Sequence, residues 1–389
     1  MSDTDRPNAD PTAKRSFLQE CSGACGDLGT FIPHAIGAMT VAGLAPVPVL
    51  SGFGAFLIAT GLFYGLPLPV QPMKAVSAVI LTGGLTPAEV AAAGMMIGAV
   101  LFVLGITGWI VRLARLIPQS VAVGLQLGLG LLMARLGIKL MVATPVVGVA
   151  ALVALVGLTR VPRIPAAPLV LAAAALVGAF DRSGLTVAAA TGAGPPHLIV
   201  PTWTEIRRSL EIAVLPQLSL TFTNAVIVTA SLSREMFGAK GTIASERNLA
   251  LSSGLANLLL CPFGAMPMCH GAGGLQAQVR FGARTGLAPI LLGVVLLVLA
   301  IGFGAHAAAL FALIPIGAVG ALLILAGADL AISRRLFDGR PSCLWVIGAT
   351  ALVVVTLNPA LALIVGWIAE LIRAAIVRRL IAARPNPRT

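Results

Sequence analysis

The chain has 389 residues, of which 58% are hydrophobic and only 10% charged, with a formal net charge of +12. A soluble domain needs about 25% charged residues to cover its surface, so lipid must be part of this chain's solvent and an ordinary soluble enzyme is excluded. The basic residues sit in short loops between apolar runs, with no basic–aromatic surface beside them. That places the positive charge under the positive-inside rule, and nucleic acid is not an expected partner.

Residues 1–15 are polar with several acids and read as a short disordered cytoplasmic tail. A signal peptide would instead start basic and turn apolar at once. The five cysteines, Cys21, Cys25, Cys261, Cys269 and Cys343, build neither a disulfide framework nor a zinc pattern. No metal and no cofactor is expected.

A membrane-spanning helix takes about 20 apolar residues. Apolar runs fall at 24–43, 47–66, 71–83, 88–111, 117–138, 144–159 and 165–181, and they make up a first half over 16–182. A more polar stretch follows at 183–208, read as an extracytoplasmic connection. The second half, 209–380, holds runs at 209–232, 248–264, 271–281, 286–305, 308–331, 342–357 and 359–380, and a basic cytoplasmic tail closes the chain at 381–389. The expectation is an all-α polytopic membrane protein of about fourteen segments.

The halves resemble each other. Leu116-Ile117-Pro118 opens the fifth segment and Leu313-Ile314-Pro315 the twelfth. Pro69, before the third segment, matches Pro267, before the tenth, at nearly the same offset of about 197 residues. Two landmarks with one offset indicate an internal repeat. Seven is odd, so the second repeat enters from the opposite side, as in the inverted repeats of secondary transporters. With the N-terminus inside, the loops around 112–115, 234–247 and 334–340 and both tails are cytoplasmic and carry most of the 26 Lys and Arg. Only Arg135, Lys139, Arg182, Arg207 and Arg208 fall outside, and Lys74 lies within a segment. The bias favours both termini inside.

Short segments interrupted by Gly and Pro at matching places in both halves point to a transport site. Here they are Pro69–Gly83 and Pro267–Gly282. A helix that starts inside the membrane leaves backbone N–H groups unpaired and carries a positive partial charge. Two such half-helices facing each other suit an anion. Their polar side chains are Gln71, Lys74, Cys269 and His270, and Gly271, Gly273 and Gly274 would let the backbone close on a ligand. Lys74 costs at least about 2.5 kcal/mol within the membrane; it either holds the anion, snorkels or pairs with an acid such as Asp27.

Asp27 itself reads equally as a proton site, a partner of Lys74 or a helix cap, and proton coupling stays open. The eighth segment carries Gln217, Ser219, Thr221, Thr223 and Asn224 within a few turns. Polar residues inside spans face the bundle interior or a water path. Glu211, at the outer end of that segment, is a further coupling candidate. Glu89 reads as a helix cap after Thr86-Pro87, Glu370 as a partner of Arg373, and His34 and His306 as structural. No Walker loop, zinc-protease motif or nucleophile elbow is present, so neither an enzyme nor an ATP-driven pump is indicated.

Three motifs carry a resemblance: Gly26-Asp27-Leu28-Gly29-Thr30, Pro69-Val70-Gln71-Pro72-Met73-Lys74-Ala75, and Phe263 through Gly274, followed by Arg280-Phe281-Gly282-Ala283-Arg284-Thr285-Gly286. In these, over about residues 16–380, the chain resembles the sulfate/molybdate transporter family, which is related to the sulfate permeases and to the uracil-transporter fold. The resemblance implies a core domain of segments 1–4 and 8–11 and a gate domain of segments 5–7 and 12–14. Substrate would lie between segments 3 and 10, beside Gln71, Met73, Lys74, Thr223, Asn224, Cys269, His270, Gly271, Ala272, Gly273 and Gly274. The chain departs from the sulfate permeases in carrying only a short basic tail after Leu380.

The function expected is secondary transport of molybdate or sulfate across the cytoplasmic membrane. The alternatives are a transporter of another small anion or a nucleobase on the same fold, and a channel or structural membrane protein. The resemblance implies buried carboxylates in the eighth and tenth segments for a nucleobase, where this chain has Gln217 to Asn224 and Cys269-His270. A homodimer is left open.

Overall fold

The computed structural model describes residues 17–161, 166–180, 196–332, 336 and 340–382. The first half contains α1 (Phe17–Cys25), α2 (Leu28–Thr40), α3 (Pro46–Tyr64), strand β1 (Gln71–Pro72), α4 (Lys74–Gly83), α5 (Pro87–Thr107), α6 (Ile110–Leu116), α7 (Gln119–Ala143), α8 (Pro145–Thr159) and α9 (Ala166–Phe180). The second half opens with a long helix over Trp203–Ile243. Within it lie α10 (Trp203–Ser209), α11 (Leu215–Leu220) and α12 (Thr229–Phe237), separated by π-helical stretches at Leu210–Val214 and Thr221–Val228. Then come α13 (Glu246–Leu260), strand β2 (Met268–Cys269), α14 (Ala272–Arg280), α15 (Leu287–Ala312), α16 (Ile316–Ala331), α17 (Leu344–Thr356) and α18 (Pro359–Ala382). Five helices among the described residues are long and apolar enough to cross a membrane, and several shorter apolar helices accompany them.

Proline sets many of the helix starts, because its fixed φ suits the first turn and its missing N–H is not needed there. Pro46, Pro87 and Pro145 each stand in a first turn. Thr86 and Glu89 form a reciprocal capping box on α5, as expected for Glu89. Two boundaries differ from the sequence reading. The first segment breaks at Gly26–Asp27 into α1 and α2. The eleventh segment runs on through Ala312, and the break before the twelfth falls at Pro315, which caps α16.

Glycine makes the three main seams. α3 packs on α15, α5 on α13 and α7 on α16. A Cβ on Gly54 would come within 2.8 Å of the Gly293 carbonyl, and one on Gly293 within 2.7 Å of the Gly54 carbonyl. The same reciprocity holds for Gly98 with Gly254 and for Gly137 with Gly320. Backbones this close need small residues, the usual device where lipid removes the hydrophobic drive between helices. Exchanging the two halves of the chain turns the α3–α15 seam into the α13–α5 seam and returns the α7–α16 seam to itself.

Large apolar side chains cover the outside of the bundle, among them Val146 and Val153 on α8, Val294 and Val298 on α15, and Ile364, Ile368 and Leu371 on α18. A water-facing protein does not carry such a belt.

Candidate functional site at the crossed half-helices

Prolines at 67, 69 and 72 and at 262 and 267 keep both approach segments out of helix. The segments pair instead. β1 and β2 run antiparallel with Gln71 opposite Cys269 and Pro72 opposite Met268, which puts paired Cα atoms about 5 Å apart. The Met73 N–H donates to the Pro267 carbonyl at 2.9 Å. Asn257 of α13 acts as a further strand partner: its Nδ2 donates to the Met268 carbonyl (2.6 Å) and its Oδ1 accepts from the Met268 N–H (2.9 Å). α4 and α14 start within three residues of this crossing, so the first turns of both half-helices are brought to one place.

Those two first turns differ. In α14 the N–H groups of Ala272, Gly273 and Gly274 have no intrahelical acceptor, and the N-cap residue, Gly271, has no side chain to cap them; no other cap is seen among the described residues. In α4 the Gln217 Oε1 accepts from the Ala75 N–H at 2.8 Å and the Val76 N–H at 3.2 Å. The Gln217 Nε2 donates to Thr221 Oγ1 at 2.8 Å. Among the described residues, the N–H of Lys74 is the one left without an acceptor in that turn.

The Lys74 side chain is partly buried and belongs to none of the ion pairs among the described residues. Direct pairing of Lys74 with Asp27 is therefore not what holds either residue. Asp27 stands at the N-cap position of α2 without capping it, so the capping reading fails as well. One carboxylate oxygen, Oδ1, accepts instead from Gln71 Nε2. The other, Oδ2, is buried with no partner among the described residues.

Gln71 is wedged in place by glycines. A Cβ on Gly271 would overlap the Gln71 carboxamide oxygen, and one on Gly274 would lie 2.5 Å from Gln71 Nε2 and 2.6 Å from Asp27 Oδ1. Gly273 is different, because a Cβ there would meet nothing within 4 Å. It faces open space beside the unpaired N–H groups.

Several expected site residues turn away from that space. His270 is fully buried. Its Nδ1 lies 3.0 Å from the Pro69 carbonyl, which can only accept, so Nδ1 carries the proton. The Nε2 of the neutral ring then accepts from Ser252 Oγ at 2.9 Å, and Ser252 Oγ accepts from the Tyr64 hydroxyl at 2.8 Å. Both ring nitrogens are thus used by the protein, and His270 holds the strand rather than a ligand. Met73 is buried in the apolar core, so its side chain is not a contact either. Glu211 sits at the surface in an ion pair with Arg207, with side chains 56% and 72% exposed, outside the cluster of Gln71, Asp27 and Gln217. Thr223 and Asn224 lie in the π-helical stretch Thr221–Val228, and their side chains are outside what is described, as is that of His306. His34 is structural, with Nδ1 2.7 Å from Ser77 Oγ, tying α2 to α4. Glu370 pairs with Arg373 at 2.5 Å and also accepts from Ser120.

The sequence reading missed Asn257, Ser252 and Tyr64 as supports of the crossing. An Asn within the apolar run 248–264 was the available signal.

Comparison with known proteins decides the family. A sequence model described as "Molybdate transporter of MFS superfamily" matches residues 19–133 and 210–330. Molybdate transporter 2 of Arabidopsis thaliana is 33% identical over 373 residues, covering 83% of this chain and 80% of that protein. This chain belongs to the molybdate transporter family. Molybdate transporter 1 of Chlamydomonas reinhardtii is 27% identical over 445 residues, covering 83% of this chain and 86% of that one. Members of this family are transporters, not enzymes. The fold is shared with anion transporters of known structure. The transmembrane domain of a cyanobacterium bicarbonate transporter, BicA, superposes with a TM-score of 0.65 at 17% identity, covering 91% of this chain and 98% of that one. Murine Slc26a9 in the inward-facing state superposes with a TM-score of 0.70 at 13% identity, covering 93% and 69%. In the molybdate transporter family the crossing described above lies inside both matched stretches, with β1 in the first and β2 in the second.

Proposed function

We propose that this chain imports molybdate, with sulfate as a competing dianion, across the cytoplasmic membrane as a secondary active transporter working by alternating access. The observation that carries the reading is the convergence of two half-helix starts, that of α14 with three N–H groups uncapped among the described residues and that of α4 with Lys74, which forms no ion pair among them. Each charge-assisted hydrogen bond from such a donor contributes roughly 1.5–3 kcal/mol, so a few of them with Lys74 suffice to replace much of an oxyanion's hydration. A nucleobase needs acceptors and donors in a fixed planar pattern, whereas the first turns of α4 and α14 offer backbone donors and the charge of Lys74. The kinship with molybdate transporters supports the same choice.

Both termini lie in the cytoplasm in this reading, and the halves are inverted repeats divided between a core and a gate. The charge asymmetry of the loops and the exchange of seams between the halves support it. Asp27 is the group for proton coupling, since it touches Gln71 at the crossing and keeps one oxygen with no partner among the described residues.

The test is uptake of labelled molybdate into proteoliposomes, with and without excess sulfate and an imposed pH gradient. Saturable uptake inhibited by sulfate and driven by an inward proton gradient is expected. Uptake that ignores sulfate, or that xanthine or uracil inhibits more strongly, overturns the substrate assignment. Labelling of cysteines placed at 240 or 338 from the outside overturns the topology.

A further inference from the structure

We propose that the Gln217 carboxamide is an intramolecular competitor of the oxyanion: it occupies the first turn of α4, and the substrate displaces it. The inference rests on the transport site proposed above and adds the device by which binding reaches a neighbouring helix.

The hydrogen bonds are specific. A neutral amide oxygen, Oε1, sits where two consecutive helix-start N–H groups converge, at 2.8 Å from Ala75 N and 3.2 Å from Val76 N. An oxygen bound by two such N–H groups is what one oxygen of a tetrahedral dianion would be. A dianion competes well there, since it gains from the positive end of the helix, and a neutral amide gains little. The matching turn of α14 carries no such cap, although the two half-helices occupy equivalent places in the chain. The site therefore presents one half open and the other half occupied.

Among the described residues, the carboxamide is tied to another helix through its oxygen alone. Its other end donates to Thr221 Oγ1, one turn on in its own helix. The bonds to Ala75 and Val76 are what tie it across to α4. The short turn that bears it, α11, starts at Leu215-Pro216 and is bracketed by π-helical stretches at Leu210–Val214 and Thr221–Val228. π-helical turns are rare and stand frequently at functional sites. Two of them around one turn leave it able to re-register without unwinding the flanking helix. Displacement of Gln217 by substrate releases this turn from α4, which links occupancy of the site to a shift of the helix between α10 and α12.

Molybdate binding by the detergent-purified full chain, measured by titration calorimetry, tests this together with uptake in proteoliposomes. Q217A should bind molybdate about tenfold more tightly than the native chain, equivalent to about 1.4 kcal/mol, and should transport it more slowly. Q217E keeps the shape and puts an anionic acceptor on the same N–H groups, so it should bind molybdate at least about tenfold more weakly. Equal or weaker binding by Q217A overturns the proposal, and so does unchanged binding by Q217E. If Q217A does not fold, the isosteric Q217E decides alone. The parent reading fails separately: it falls if the native chain binds no molybdate or if K74M binds as well as the native chain, whereas binding that K74M abolishes and Q217A leaves unchanged sinks only the competitor.

Discussion

The first turns of α4 and α14 occupy matching places in the two halves, yet they divide the labour of the site. The turn of α4 brings Lys74 and has two of its N–H groups held by Gln217. The turn of α14 brings no side chain larger than a methyl group and leaves three N–H groups uncapped among the described residues. One half supplies a full charge and the other supplies directed donors. The glycine-rich start brings no charged side chain of its own, whereas the start at Lys74 does. The two turns thus stand at matching places in the chain and differ in their side chains.

Removing the charge should have the largest effect. Lys74→Met is expected to lower molybdate uptake at least about thirtyfold, because truncating one partner of a desolvated charge pair costs about 2–5 kcal/mol. The same change should raise the melting temperature of the ligand-free protein, since a lysine inside the membrane costs about 2.5 kcal/mol or more. Uptake at matched reconstitution and a thermal melt in detergent read the two signs. Normal uptake by this variant would remove the cation from the site.

The donor half is probed by two neighbouring glycines with opposite expectations. Gly273→Val places its side chain in open space, so the protein should fold normally and fail to bind. Gly274→Val drives a side chain into Gln71 and Asp27, so it should lose fold and function together. Gel filtration after purification, followed by molybdate titration, separates the cases. Both variants binding normally would mean that the α14 turn is not part of the site.

Much of this arrangement is legible in the sequence because membranes impose simple rules. Composition alone requires a lipid solvent. Prolines placed before two short apolar runs mark the half-helices. The residues that fill a membrane-buried turn are harder to read. Gln217 was recognisable as a polar residue in a span, but that its oxygen would reach Ala75 and Val76, 142 and 141 residues away, depends on tertiary packing. His270 looked like a ligand because it stands beside Gly271. Its ring goes the other way because the Pro69 carbonyl has no strand partner and needs a donor there. The π-helical stretches around Gln217 and the break at Asp27 leave no mark in an apolar run. Asp27 reads equally as cap, ion-pair partner or proton site until the Gln71 contact and the absence of a salt bridge narrow it.

Supports of the crossing should give intermediate effects that fall on both halves alike. Asn257→Ala removes two bonds to Met268 and leaves a buried N–H and carbonyl unsatisfied, at about 1–3 kcal/mol each. Uptake should fall roughly tenfold with a lower melting temperature. His270→Ala should behave similarly, because it frees the Pro69 carbonyl and Ser252. Tyr64→Phe, at the far end of that chain, should cost only about 1 kcal/mol. A large loss of uptake by His270→Ala with an unchanged melt would return His270 to the ligand shell.

The smallest effect belongs to Glu211, and it closes the comparison between a site carboxylate and a surface one. Asp27 is fully buried at the crossing, and its environment is built from Gln71 and Gly274. Glu211 is more than half exposed, and its partner Arg207 is more exposed still. Exposed pairs at this i,i+4 spacing contribute about 0.3–0.5 kcal/mol. Glu211→Gln should therefore leave uptake, its dependence on a pH gradient and the melting temperature within error. Asp27→Asn should abolish the response to the gradient while preserving the hydrogen-bonded contact with Gln71, since an amide oxygen can still accept from Nε2. If Glu211→Gln instead flattens the pH response and Asp27→Asn does not, the coupling group lies at the outer end of the long helix, and the crossing binds the anion without moving the proton.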